Sequence, residues 1–405
     1  MLVHEFLTHT AAAVPHKIAI KAEGTEITYG QLEAGANQLA CGFVALGAQR
    51  GDRIVIQLGN RIETALAIFG VLKAGAVFVL VGRDTPRERL LYIIRDAQAA
   101  GLVAEGAESR ASSHRTVSPM QSVKDDAPSL RFVVTTTEHP ASEQASCLAL
   151  SEFFADYSTE AYDVPVIDQD LACLIYTSGS SGQPKGVVCG HNNVVFACSA
   201  IGRYLQNSHE DVILNVLPFS FDYGLYQLLM AVRVGATLVL ENAYAYPAAI
   251  LNTIGREQVT GLPGVPTLFA LLLSRDLSQF DLSSLRYVTN TGAALPVEQI
   301  RRLQAAVPQA EIYSMYGLTE CKRALYLPPK LLSHAPSSVG KAIPGTEAWV
   351  ERTDGSRAAA GEIGELVVRG SHVMRGYWND SELTGRFFAP GPTPGERILR
   401  TGDLF

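Results

Sequence analysis

No two of the six cysteines, Cys41, Cys147, Cys173, Cys189, Cys198 and Cys321, stand at CxxC spacing. That argues against both a zinc site and the disulfide framework of a small secreted protein, and leaves buried free thiols as the plain expectation. Excess positive charge is also missing: 33 Lys and Arg face 40 Asp and Glu, for a net charge of -7. Such a balance gives no basic footprint for nucleic acid or an anionic membrane, although a local pocket can still take a small anion.

The start, "MLVHEFLTHTAAAVP", lacks the basic n-region and sustained apolar run of a signal peptide. The most membrane-like window, "ALAIFGVLKAGAVFVLVG", carries Lys73 in its middle and is broken by Gly75 into a helix and a strand. A cytoplasmic protein with no membrane partner is expected. No fixed-period repeat is present, and with 47% hydrophobic and 18% charged residues the chain does not have a disordered composition. At 405 residues it exceeds one small core, so two or more domains or subdomains are expected.

What is there is alternation of strand and helix. "RIVIQL", "RIETALAIFGVLKAG", "VFVLV" and "TPRERLLYIIRDAQA" follow one another, the last with Thr85 as N-cap and Pro86 at the first helical position. Thr28 and Gln31 stand at capping-box spacing at the head of the helix that Gly47 stops. The stretch from Glu105 to about Glu160 is less periodic, and a second alternating run begins with "LACLIYTSG" and continues through "AEIYSMYG". After about Ser337 short alternating strands with an Asp354 and Gly355 turn suggest a small β-rich unit. The expectation is an α/β protein with subdomains at 1–170, 171–336 and 337–405.

The segment "YTSGSSGQPKGVV", Tyr176 to Val188, gathers hydroxyls, glycines and Lys185 in one loop. Backbone NH groups that approach closely, side-chain donors and a point charge suit phosphate oxygens. Lys185 is followed by Gly186 and not by Ser or Thr, so the loop is not a Walker A motif and a P-loop phosphotransferase is disfavoured. By composition alone such a loop is as often a plain connection.

The order of further motifs decides more than composition. "LKAGAVFVL" at Leu72, "TGAALP" at Thr291, "YGLTE" at Tyr316, "GELVVRGSHVMRGYW" at Gly364 and "RTGDL" at Arg400 accompany the loop. Together they resemble the adenylate-forming superfamily of acyl-CoA synthetases, nonribosomal peptide adenylation domains and luciferases. The resemblance implies a large N-terminal domain with two mostly parallel sheets flanked by helices, a small β-barrel-like unit, and ATP and Mg2+ as cofactors. It implies attack of a carboxylate on the α-phosphate of ATP, release of pyrophosphate, and transfer of the acyl group to a thiol. Charge developing on phosphate calls for preorganised donors and a metal.

By this resemblance Thr177, Ser178, Gly179, Ser180, Ser181, Gly182 and Lys185 hold the β- and γ-phosphates. Thr319 bonds the α-phosphate, and Glu320 holds Mg2+ as a hard oxygen ligand; with Lys185 these are the candidate catalytic residues. Tyr316 stacks on adenine, Gly292, Ala293 and Ala294 with Ser314, Met315 and Gly317 line the nucleotide site, and Asp403 takes the ribose hydroxyls.

For the acid, Asp222 in "LPFSFDYGLYQ" matches an aspartate that amino-acid-activating members pair with the substrate ammonium. The same Asp can instead cap the helix beginning near Tyr223. Tyr223, Tyr226 and Met315 are the other expected pocket residues. Lys322 and Arg323 follow the glutamate directly in "TECKRALY"; they face solvent, or a substrate carboxylate, or a carrier-protein phosphopantetheine. The signatures are similar to freestanding ligases that load amino acids onto carrier proteins and to some acyl-CoA ligases of bacterial gene clusters. His191 opens a helix and is expected to play no catalytic part.

In the family, a lid domain of roughly one hundred residues, a size ordinary for a small domain, follows "TGDL" and brings a lysine to the α-phosphate. The sequence ends at Phe405, so the expectation is either a core cut before the lid or a natural fragment that depends on a partner. A ligase acting with a carrier protein or CoA is the leading expectation. A nucleotide-binding protein without chemistry is the alternative.

Overall fold

The computed structural model describes residues 1–106, 119–136, 148–162, 164–178, 182–242 and 246–405. It resolves two units, Met1–Lys17 with Ile27–His191, and Ile18–Glu26 with Asn192–Phe405.

The first unit is built on a seven-stranded sheet. Its order is Leu148–Ala149, Phe132–Thr135, Gly101–Ala104, Arg53–Gln57, Val77–Leu80, Leu171–Ser178, Pro184–Gly190. All neighbours are parallel except the last two strands, which form an antiparallel hairpin. Val77–Leu80 and Gly101–Ala104 are buried along their whole length, as befits parallel strands covered on both faces. The helix Tyr29–Ala45 starts in the expected capping box: the Thr28 side chain accepts from Gln31 N, and the Gln31 side chain accepts from Thr28 N. Losing such a cap costs about 1 kcal/mol. The helix expected from Pro86 shifts by one residue. It spans Arg87–Asp96 with Pro86, not Thr85, in the cap position and no side-chain cap bond.

Two buried features of this unit are structural. Lys73 Nζ, from the broken apolar window, donates to Glu33 Oε1 at 2.7 Å and Thr8 Oγ1 at 3.0 Å. His191, 1% exposed, accepts from Val3 N at 3.1 Å through Nδ1 and meets the His4 ring edge-on. This tether occupies His191 in holding the N-terminal segment.

The second unit holds a nine-stranded sheet in the order Lys341–Ala342, Leu325–Tyr326, Glu311–Tyr316, Tyr287–Asn290, Gly261–Gly264, Val212–Asn215, Thr237–Leu240, Ile18–Ala22, Thr25–Thr28. From Glu311–Tyr316 to Ile18–Ala22 the neighbours are parallel; Leu325–Tyr326 turns antiparallel. A four-stranded antiparallel sheet follows, in the order Glu347–Glu351, Glu365–Arg369, Arg397–Leu404, Phe388–Pro390.

The division differs from the sequence boundaries: residues 337–405 fall within the second unit, and two further differences concern single strands. Strands 171–178 and 184–190 complete the first sheet through the parallel register Phe78 to Cys173, so position 170 lies inside the first unit. Ile18–Ala22 crosses to the second sheet, where it pairs with Thr237–Leu240. Five cysteines lie among the described residues, and all are free thiols; Cys147 lies outside them. No helix among the described residues is long and apolar enough to cross a membrane.

Candidate active site

The glycine-rich loop closes the hairpin of the first unit. Thr177 pairs across it with Lys185, and Ser178 with Pro184. Gly179, Ser180 and Ser181 lie outside the described residues. Gly182 has φ +84 with open space where a Cβ would sit, so the turn needs a residue free to take the left-handed region. One end of the hairpin is anchored: Tyr176 Oη donates to Asp96 Oδ2 at 2.5 Å, and burial with that bond raises the phenol's pKa. Lys185 makes no ion pair among the described residues.

In the second unit the motifs "TGAALP" and "YGLTE" stand at the carboxyl ends of the parallel strands Tyr287–Asn290 and Glu311–Tyr316, where open α/β sheets bind ligands. Tyr287–Asn290 runs into Thr291, and Gly292 turns at φ +86. Asn290 Nδ2 donates to Ala293 O at 2.9 Å and shapes that turn, leaving Gly292, Ala293 and Ala294 exposed. In Glu311–Tyr316, Ser314 and Met315 are buried, and Met315 Sδ accepts from the Tyr204 hydroxyl at 2.9 Å. Gly317 must be glycine because a Cβ there would run into the Lys322 carbonyl.

Two long-range hydrogen bonds tie candidate site residues of the second unit to distant parts of the chain. Tyr316 Oη donates to Asp403 Oδ2 at 2.5 Å across 87 residues, and the Phe405 ring lies edge-on to Tyr316 at 5.0 Å. Burial, then the bond to Asp403, raises the Tyr316 pKa. Tyr377 Oη donates to Glu320 Oε1 at 2.6 Å, and Met374 N donates to Glu320 O at 2.8 Å. Thr319 is half-buried, and its carbonyl accepts from Lys322 Nζ at 3.0 Å.

The expected acid pocket is buried. Asp222 is 5% exposed and is the first residue of the helix Asp222–Val234; Phe221 is the N-cap and no side chain caps that end. The capping alternative for Asp222 is therefore not realised. Gly224 lets this helix start press on the Leu217 and Pro218 carbonyls, where a Cβ would collide. The Tyr223 hydroxyl contacts Thr289 O at 2.9 Å and Thr289 Oγ1 at 2.5 Å, and burial pushes its phenol up to about 12. Lys322 and Arg323, 1% and 4% exposed, turn inward and not to solvent. The Lys322 ammonium lies 5.7 Å from the Tyr226 ring centre, and the Arg323 guanidinium 4.4 Å from that of Tyr223. Cys198 and Cys321, buried in the same unit, have thiols pushed up to about 12, so neither is poised as a nucleophile.

The family described as AMP-binding enzyme matches residues 7–378. This chain belongs to the AMP-binding enzymes. Among solved structures it is similar to VinN, 32% identical with a TM-score of 0.83 over 100% of this chain and 95% of that one. The anthranilate CoA ligase AuaEII in complex with anthranoyl-AMP is 25% identical, with a TM-score of 0.87 over 100% of this chain and 74% of the other. Gramicidin S synthase 2 of Aneurinibacillus migulanus is 29% identical over 99% of this chain, which spans 8% of that protein's length. The long-chain-fatty-acid–CoA ligase of Bacillus subtilis (strain 168) is also 29% identical, over 99% of this chain and 74% of its own length.

In this AMP-binding enzyme Glu320 fits a Mg2+ ligand. One carboxylate oxygen is held by Tyr377, and the other carries no hydrogen bond among the described residues. No cluster of three or more His, Cys, Asp or Glu suited to a metal occurs among them either. One carboxylate, completed by phosphate and water, is the usual protein share of a Mg2+ site. Bound there, the ion would neutralise charge on the phosphates.

Sequence reasoning missed Tyr377 as a partner of Glu320, although it lies in the quoted "VMRGYW", and missed Thr289 as the partner of Tyr223. A cleft of about 1020 Å3 opens behind Tyr377, bounded by Arg375, Asp380, Thr384, Phe388 and Arg397. No residue expected to bind nucleotide or acid lines it.

Proposed function

We propose that this AMP-binding enzyme is an AMP-forming acid ligase that activates an amino acid. A carboxylate oxygen of the acid attacks the α-phosphorus of ATP, the bond to the bridging oxygen breaks, and pyrophosphate leaves. A thiol then attacks the acyl-adenylate carbonyl and AMP departs; a carrier-protein phosphopantetheine is the acceptor in this reading. Thr177, Ser178, Gly179, Ser180, Ser181, Gly182 and Lys185 hold the departing phosphates. Thr319 donates to the α-phosphate, Glu320 holds Mg2+, Tyr316 stacks on adenine beside Gly292, Ala293, Ala294 and Gly317, and Asp403 binds the ribose. Their contribution is electrostatic, since donors aimed at developing charge each affect the rate by about 100- to 1000-fold.

The observation that carries the amino-acid reading is Asp222: a buried carboxylate with no hydrogen bond or ion pair among the described residues. A buried charge needs a partner, and a substrate ammonium supplies it. VinN has been solved with L-aspartate and with 3-methylaspartate, which supports the same reading.

ATP–pyrophosphate exchange with amino, aryl and fatty acids tests this. Amino acids should exchange best, and Asp222→Ala should weaken them by about 3 to 5 kcal/mol, the cost of breaking a buried pair, with little effect on acids lacking an amine. Preference for a fatty or aryl acid over every amino acid would instead point to an acyl-CoA ligase.

A further inference from the structure

We propose that Cys173 and Cys189 form a redox modification site, at which a cross-strand disulfide weakens the binding of Mg-ATP by the glycine-rich loop. The cross-link stands on the register of the hairpin, whereas its effect on ATP rests on the phosphate-holding reading of that loop given above.

Cys173 lies on the strand Leu171–Ser178 and Cys189 on Pro184–Gly190, and the antiparallel register sets the two directly opposite each other. Both side chains therefore stand on the same face of the hairpin, with Cβ atoms about 4.5 to 5.5 Å apart, as in any such pair. A disulfide needs about 3.5 to 4.5 Å. A small approach of the two strands closes that gap, and a register shift between Leu171 and Cys173 places an irregularity beside the pair, where a strand bends. Both residues are thiols in this structure, and Cys189 Sγ donates to Val187 O at 3.6 Å. A bond made by drawing strands together is strained, and strained disulfides are the reducible, regulatory ones.

Position gives the pair its consequence. Side chains alternate along a strand, so the opposed pairs Cys173 with Cys189, Ile175 with Val187, and Thr177 with Lys185 share one face. The last pair belongs to the loop itself. Pinching the strands at the cysteines changes their separation and twist along that face and shifts Thr177 and Lys185 away from the phosphates. Pro184–Gly190 is the edge of its sheet and is held by Leu171–Ser178 alone among the described strands, so no outer strand resists the shift. The edge also gives access: Cys173 and Cys189 are 1% and 0% exposed, and an oxidant reaches them through local opening.

The oxidant is a low-molecular-weight disulfide. One cysteine thiolate attacks it, a mixed disulfide forms, and one small thiolate leaves. The second cysteine attacks the protein sulfur of that mixed disulfide, the bond between Cys173 and Cys189 forms, and the second small thiolate leaves. The two protein thiols are oxidised, their protons pass to the departing thiolates, and the small disulfide is reduced.

The test equilibrates the protein in mixtures of 2-mercaptoethanol and its disulfide, with and without Mg-ATP, and maps cysteine linkages by mass spectrometry after alkylation, beside Cys173→Ala and Cys189→Ala. The wild type should yield peptides joined through Cys173 and Cys189, and dithiothreitol should separate them. By calorimetry the joined form should bind Mg-ATP more weakly by on the order of 10-fold, and Mg-ATP should in turn shift the oxidation midpoint towards the thiols by the same factor, because linkage is reciprocal. Each variant should bind Mg-ATP as the reduced wild type does and ignore the redox mixture. Mixed disulfides at Cys41 alone, or a cross-link between any other two cysteines, would overturn the site, and this is read in the wild type whether or not the variants fold. A link between Cys173 and Cys189 that leaves Mg-ATP affinity unchanged would overturn its control of the loop. If the reduced protein binds no Mg-ATP, the nucleotide reading fails and that control with it, while the linkage map still decides the cross-link.

Discussion

The Tyr377 hydroxyl donates to Glu320 Oε1 at 2.6 Å and fixes the carboxylate proposed to hold Mg2+. Tyr377 is itself fixed: its ring meets Phe387 and Phe388 edge-on, and its backbone N donates to Thr384 Oγ1 at 2.9 Å. Burial, then the charge and bond of Glu320, raises its pKa, so it remains a donor.

Tyr377→Phe removes that donor and little volume. Loss of such an outer partner commonly weakens a metal site by about 10- to 100-fold. Calorimetry of ATP binding should show the loss with Mg2+ and nearly none in its absence. An equal loss in both conditions would reduce Tyr377 to a support of the helix Ser381–Phe387.

Tyr316 has two separable parts, a ring proposed to stack on adenine and a hydroxyl that donates to Asp403. Tyr316→Ala should weaken ATP by roughly 1 to 3 kcal/mol, the range for base stacking on an aromatic side chain. Tyr316→Phe should cost only about 1 kcal/mol, a typical net hydrogen bond, and should narrow the preference for ATP over 2′-deoxy-ATP by loosening Asp403. Unchanged ATP affinity in Tyr316→Ala would remove Tyr316 from the adenine site.

Acid should destabilise the fold through its buried histidines. His372 is 0% exposed, stacks on Phe196, and has neither ring nitrogen hydrogen-bonded among the described residues; burial lowers its pKa to about 4, as burial with the Lys73 charge does for His4. With folded values below the unfolded value near 6.5, the unfolded chain binds protons that the folded chain excludes. Stability is therefore full above about pH 6.5 and falls towards pH 4, by about 1 kcal/mol per pH unit for each histidine. Urea unfolding should show a drop between pH 7 and pH 5 that shrinks by about 1 to 2 kcal/mol in His372→Leu. An identical drop in the variant would assign the acid sensitivity to other groups.

Periodicity made most elements legible, because a strand buried on both faces and a helix with one buried stripe each impose a local pattern on the sequence. Thr28 with Gln31 was readable for the same reason, since a capping box spans only three residues. The order of motifs gave the family and with it a slate of candidate residues. Which sheet a strand joins was not written locally: Ile18–Ala22 looks like any short apolar strand, and only its register with Thr237–Leu240 moves it to the second unit. Nor was the environment of a charge. Asp222 served equally as a cap or a buried ligand until the helix start placed Phe221 in the cap, and Lys322 and Arg323 stood open between solvent, a substrate carboxylate and a phosphopantetheine until the fold buried them against Tyr226 and Tyr223. Tyr316 meets Asp403 across 87 residues and Tyr377 meets Glu320 across 57. Sequence constrains neighbours within a turn or a strand, whereas burial and pairing of a charge depend on what the rest of the chain brings beside it.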